Sequence, residues 1–117
     1  MNVLLAQMHQ LVIEHQLTMD NVYLPRDLWL KAVAIAKKVT TPNDGSYDPK
    51  SGNMWLWGIR MYQHNGPFVM VLSSKNTRCF LFEVDRQSLE VMSYRLYIST
   101  YARKITTDAE VPGTTGV

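Results

Sequence analysis

The chain has 117 residues, 46% of them apolar and 19% charged, and its 12 lysines and arginines against 10 acidic residues leave a formal charge of +2. That length supports one domain with a single modest core, and the balance excludes a disordered or collagen-like chain. The charge is too small to argue by itself for a nucleic-acid or membrane partner. A lone cysteine, Cys79, forms no internal disulfide and suits the role of a small buried hydrophobe.

Residues Asn2 to Leu17 set Leu4, Leu5, Met8, Leu11 and Val12 at helical spacing, with Gln7, Gln10 and Glu14 opposite, which predicts an amphipathic helix. This run lacks the basic start and small-residue cleavage site of a signal peptide, and no window approaches the roughly 20 apolar residues of a membrane span. The expectation is a soluble, cytoplasmic product with no membrane partner. Val22-Tyr23-Leu24 reads as a short extended run before Pro25, a residue at home in a helix start. A second helix is predicted from Arg26 to about Val39. Asp27 lies in its first turn and Lys37 and Lys38 in its last, as the helix dipole favours, and Trp29 flanks its apolar stripe.

Thr40 to Asn53 lacks periodicity and carries Pro42, Gly45, Pro49 and Gly52, so it reads as one long loop. Beyond it come three apolar runs between Met54 and Val84. They are separated by His64-Asn65-Gly66-Pro67 and by Ser73 to Thr77, which is hairpin turn chemistry. Leu89 to Ile98 alternates as a further strand, although Leu89, Met92, Leu96 and Tyr97 also fit a helical face, so 92–105 is open between strand and helix. With the strand reading, the fold class is α+β: two N-terminal helices packed on one face of an antiparallel meander of about four strands. The domain is expected to span residues 1–105, with 106–117 as a flexible polar tail.

Treating Met54 to Tyr62 as one continuous strand puts Trp55, Trp57, Ile59 and Met61 on the core side, with Phe82 and Ile35 buried against them. Gly58 then reads as a bulge or a close backbone approach. The opposite face carries Leu56, Arg60 and Tyr62, with Leu81 beside them. That mixture of apolar, tyrosine and arginine side chains is typical of interfaces. The predicted partner-binding set is therefore Leu56, Arg60, Tyr62 and Leu81, with Asp44, Tyr47 and Asp48 of the long loop at the rim.

Chemistry-bearing motifs are missing from the chain. It has neither GxGxxG nor GxxxxGK[ST], and its one Cys and three His include no HExxH, so no metal or cofactor is expected. Asp44, Ser46 and Asp48 alternate as in a calcium loop, but Pro49 and Trp55 stand where that loop needs a glycine and a bidentate glutamate. His64 reads as a solvated turn residue rather than a catalytic base. Arg60, Lys75, Arg78, Arg86, Arg95, Arg103 and Lys104, interleaved with Trp55, Trp57, Phe80, Tyr94, Tyr97 and Tyr101, form the basis of a nucleic-acid alternative. A small enzyme with a spatially assembled site is a third reading.

From Leu4 to Met61 the chain carries a helix, Asn21 to Trp29 with its proline-led helix start, Asn43-Asp44-Gly45-Ser46-Tyr47, and Met54-Trp55-Leu56-Trp57-Gly58-Ile59-Arg60-Met61. In that order these pieces resemble part of the A domain of HK97-type tailed-bacteriophage major capsid proteins. Arg60 replaces that family's usual proline, and the chain has no room for the family's spine helix and extended loop. The resemblance implies a small phage-type structural module, resident in the host cytoplasm or in the virion, that docks on a larger protein or on copies of itself. It brings no catalytic residue with it. The expectation is a non-enzymatic interaction protein.

Overall fold

The computed structural model describes residues 1–39, 44–73 and 77–98. Two helices, α1 (Asn2–Glu14) and α2 (Arg26–Lys38), combine with seven strands: β1 (Asn21–Pro25), β2 (Gly45–Tyr47), β3 (Met54–Leu56), β4 (Ile59–His64), β5 (Val69–Ser73), β6 (Arg78–Asp85) and β7 (Glu90–Ile98). All seven join one sheet in the order β2-β3-β4-β1-β5-β6-β7. The fold is α+β, but the sheet is larger than a four-stranded meander and is mixed. β1 pairs parallel with β4 on one side and antiparallel with β5 on the other.

The short run before Pro25 is thus the central strand, and it separates the two helices in sequence. Val22 and Leu24 are fully buried, and the backbone around them is tied by Asp20 N–H to the Leu72 carbonyl and by Thr18 N–H to the buried Ser73 hydroxyl. Pro25 costs the sheet little. It has no N–H to give, it ends the strand, and its extended backbone hands the chain directly to α2.

Both helices bury their stripes against the same sheet face. Leu4, Leu5, Met8 and Val12 of α1 and Leu28, Trp29, Ala32, Val33 and Ala36 of α2 form one core with Val22, Leu24, Met54, Leu56, Met61, Val69, Val71, Phe80 and Phe82. The end of α1 is a hydrogen-bonded Schellman turn, in which Leu17 N–H reaches the Val12 carbonyl and Gln16 N–H that of Ile13. Gln16 sits at φ +59 in the position usually given to glycine.

The expected continuous strand Met54–Tyr62 is in fact a hairpin, β3 and β4, closed by the two residues Trp57 and Gly58. Both have positive φ, 48° and 79°, as a type I′ turn requires, and Leu56 pairs directly with Ile59. The turn reverses the alternation. Met54 and Leu56 point into the core with Met61, whereas Trp55 and Trp57 are exposed and Ile59 is half-buried. The expectation that Trp55 and Trp57 form the core fails for this reason, while Met61 and Phe82 are buried and Ile35 packs at the core margin. Gly58 is a turn residue and not a bulge.

The stretch expected to be one long loop contains β2, which pairs with β3. Gly45 is needed where they meet. A β-carbon there would lie 3.0 Å from Leu56 Cδ2, 3.1 Å from the Trp55 carbonyl and 3.2 Å from Val39 Cγ2. The run to Ile98 is β7, paired along β6, with Met92 as the extra residue of a bulge between the Glu83–Ser93 and Val84–Val91 pairs. The tail expected at 106–117 lies outside the described residues. No described helix is long and apolar enough to cross a membrane.

Candidate docking face

The sheet face turned away from the helices has two halves of different character. Over β5, β6 and β7, Met70, Leu72, Cys79, Leu81 and Tyr97 form a second cluster that is almost free of solvent, with Tyr23 and Phe68 partly buried against it. Over β3, β4 and β1 the side chains are accessible, and an ordered row crosses the strands. Register sets this row directly: Trp55 opposes Arg60, and Tyr62 opposes Tyr23.

The Arg60 guanidinium lies 4.6 Å from the Tyr62 ring centroid and 5.7 Å from that of Trp55, and Tyr62 stacks on Tyr23 at 4.8 Å with an interplanar angle of 16°. Arg60 Nη2 donates to Asn53 Oδ1 at 2.6 Å, which fixes the plane of the guanidinium. A cation between ring faces is attracted by the ring quadrupoles, which joins the side chains into one row. Burial, followed by the neighbouring Tyr62, raises the Tyr23 hydroxyl above the usual tyrosine range. It therefore stays protonated near neutral pH, as a hydrogen-bond donor.

Of the residues expected to bind a partner, Arg60 and Tyr62 do come together. Leu56 does not join them: it is fully buried beneath α2 on the opposite face, because the Trp57-Gly58 turn shifts the phase of the strand. Leu81 lies on the expected face, but at 4% exposure inside the second cluster it offers a partner no surface. Tyr47 is half-buried on the helix side, edge-on to Trp29 and beneath Lys37. Asp48 serves its own loop. Its carboxylate accepts from Lys50 N–H and the Ser51 hydroxyl, its carbonyl accepts from Gly52 N–H, and those bonds to the carboxylate hold its pKa below the usual aspartate value. Asp44 is exposed and contributes through its backbone, where its carbonyl accepts the Trp57 N–H at 3.2 Å and so braces the turn.

Sequence reasoning put Trp55 and Trp57 in the core, and it left Tyr23 out of the face altogether. The available signal was glycine at the second position of a two-residue turn, and a tryptophan before it concealed the reading.

Groups that carry chemistry elsewhere are engaged here in structure. His64 is buried, contrary to its reading as a solvated turn residue. Its Nε2 donates to the Phe68 carbonyl at 2.6 Å while Nδ1 accepts from Gly66 N–H at 3.0 Å, so one neutral tautomer closes the β4–β5 connection. Burial lowers its pKa, partly opposed by the bond to Phe68. Burial pushes the Cys79 thiol up to about 12, which leaves almost no thiolate to react near neutral pH. Among the described residues no three His, Cys, Asp or Glu side chains converge on a possible metal position.

The cations are dispersed. Arg60 and Arg95 lie on the face away from the helices, whereas Arg86 is bound to Asp27 and to two backbone carbonyls. Phe80 is sealed in the helix-side core. Lys75, Tyr101, Arg103 and Lys104 fall outside the described residues. No protein-family model, characterised protein or solved structure matches this chain.

Proposed function

We propose that this protein is a non-enzymatic docking module that grips a larger protein through the row Trp55, Arg60, Tyr62 and Tyr23, with Trp57 projecting from the adjoining turn. One observation carries the reading. Trp57 stands at φ +48, in the left-handed region that bulky residues avoid, and its side chain is 37% exposed. Such a residue costs the backbone energy, and more than a third of its surface stays open to solvent, apolar area that the fold by itself leaves uncovered. A partner that covers the ring gains a large apolar surface held in advance by a rigid turn. Trp, Tyr and Arg are also the side chains that dominate binding energy at protein interfaces.

The phage setting rests on the sequence resemblance of residues 4–61. In that setting the partner is a protein of the particle or of its assembly. The test is affinity capture from the native host by wild type and by the Trp57→Asn and Tyr62→Ala variants, with and without nuclease. A nuclease-resistant protein retained by wild type and lost by both variants is the expected result. Equal capture by all three overturns the docking face. Capture that nuclease abolishes replaces the protein partner with nucleic acid.

A further inference from the structure

We infer that the row Trp55, Arg60, Tyr62 and Tyr23 receives a single carboxylate, the side chain of an aspartate or glutamate of the partner protein, at the Arg60 guanidinium. The inference rests on the docking reading above and adds the chemistry of what docks. It starts from the parts of the row that are already used. The Arg60 guanidinium lies over the Tyr62 ring and near that of Trp55, Tyr23 is stacked on Tyr62, and Tyr23 in turn packs against the closed cluster of Met70, Leu72 and Leu81. The faces of the two tyrosines, which carry the negative side of the ring quadrupole, are thereby occupied from within the protein. What the row turns outward is ring edges, hydroxyls and guanidinium N–H groups, the positive or donating side of each.

Donors are also left over. Among the described residues Arg60 forms no ion pair and makes one hydrogen bond, from Nη2 to Asn53 Oδ1. Its Nε is buried without a partner, which leaves Nη1 as the end of the fork that a ligand can reach. Burial raises the Tyr23 pKa, Tyr62 adds to the rise and Arg60 opposes it, so the two hydroxyls and the guanidinium lie close enough to act on one another. A carboxylate accepts from such a group of donors at once, in charge-assisted bonds that a neutral carbonyl does not match.

The surroundings favour one carboxylate over a phosphate chain. Arg60 is the only charge in the row. Asp44 and Asp48 stand exposed beside it, the first tied through its carbonyl to Trp57 N–H and the second through its N–H to the Asn53 carbonyl. A nucleic-acid backbone would meet two negative charges for one positive, and its bases would find the tyrosine faces covered. A single carboxylate sets one charge against the guanidinium and needs no ring face.

The test is a random-peptide display library selected on the full chain, followed by fluorescence anisotropy with fluorescein-labelled synthetic copies of the enriched peptides. The selection should enrich peptides that contain aspartate or glutamate. Changing that peptide residue to its amide and changing Arg60→Gln in the protein should each weaken binding at least about tenfold, and the two losses should not add, because each removes one half of the same pair. Arg60→Lys should recover part of the loss, since it keeps the charge without the planar fork. Peptides whose binding is lost in Trp57→Asn but indifferent to both charge changes overturn the carboxylate and leave the docking row standing. A library that yields no binder sensitive to Arg60 overturns the inference, while the capture experiment above still decides the docking row. Tighter, Arg60-dependent binding of a labelled single-stranded oligonucleotide assigns the guanidinium to phosphate and overturns it as well.

Discussion

At the scale of single residues, His64 shows how local geometry converts a titratable group into a structural one. Its ring both donates and accepts within the β4–β5 connection, an arrangement open only to the neutral imidazole. Burial places its folded pKa below the usual 6.5, so the unfolded chain binds the proton more readily than the folded one. The stability this group contributes is therefore complete above about pH 6.5 and is lost as pH falls through the lower folded value. Urea unfolding measured from pH 7.5 down to pH 4.5 should show stability decreasing on the acid side. In His64→Gln, which keeps a donor and an acceptor but cannot titrate, the part of that slope nearest neutrality should flatten. An unchanged slope would mean that His64 is not its source.

At the scale of elements, the β3–β4 hairpin decides which face each residue meets. Its turn wants asparagine then glycine, and it has tryptophan then glycine. Trp57→Asn should accordingly leave global stability unchanged or raise it by up to about 1 kcal/mol, because asparagine tolerates positive φ. Trp57→Ala should cost less than about 1 kcal/mol, set against about 3 to 5 kcal/mol for a fully buried ring such as Phe80→Ala. Chemical denaturation of the three variants checks the order. A loss of several kcal/mol in Trp57→Ala would show that the indole serves the core after all. The hairpin also shows why part of the site was hidden. Alternation places side chains correctly only within one strand, and a two-residue turn read as strand exchanges the faces of everything before it.

At the scale of the whole molecule, Arg86 ties separate layers together: of its three hydrogen bonds, two reach parts of the chain distant in sequence. Its Nε donates to Asp27 Oδ2 at 2.6 Å in the first turn of α2, Nη1 to the Val84 carbonyl at 3.0 Å, and Nη2 to the Pro67 carbonyl at 2.7 Å. One guanidinium thus joins helix, strand end and turn. The ion pair alone is half-exposed and contributes little in water, but the two carbonyl bonds need the same planar fork. Arg86→Met should lower stability by about 1 to 2 kcal/mol, and Arg86→Lys should recover less than half of that because a point charge cannot reach three acceptors at once. Thermal unfolding of both variants is the measurement. Full recovery by lysine would reduce the role of Arg86 to simple charge.

Legible in the sequence were the helices, the strands β5 and β6, the buried Trp29 and Cys79, and the placing of Arg60 with Tyr62 on one face, whereas β7 was open between strand and helix until its pairing with β6. Each of the legible features depends on a local period or on a dipeptide signal, and such signals act over a few neighbouring residues. Only the tertiary structure decided that Val22 to Leu24 is the centre of the sheet, since three residues bear no mark of the strands that flank them until β4 and β5 arrive from about forty residues away. It likewise decided that Leu56 is core and Trp55 is surface, and that Leu81 is closed off in its cluster while the row over β3, β4 and β1 on the same face stands open. Burial depends on what packs over a residue, and that partner comes from distant chain. Gln7 Oε1 accepts the Val91 N–H only because the first helix and the last described strand, which share no local signal, meet in space.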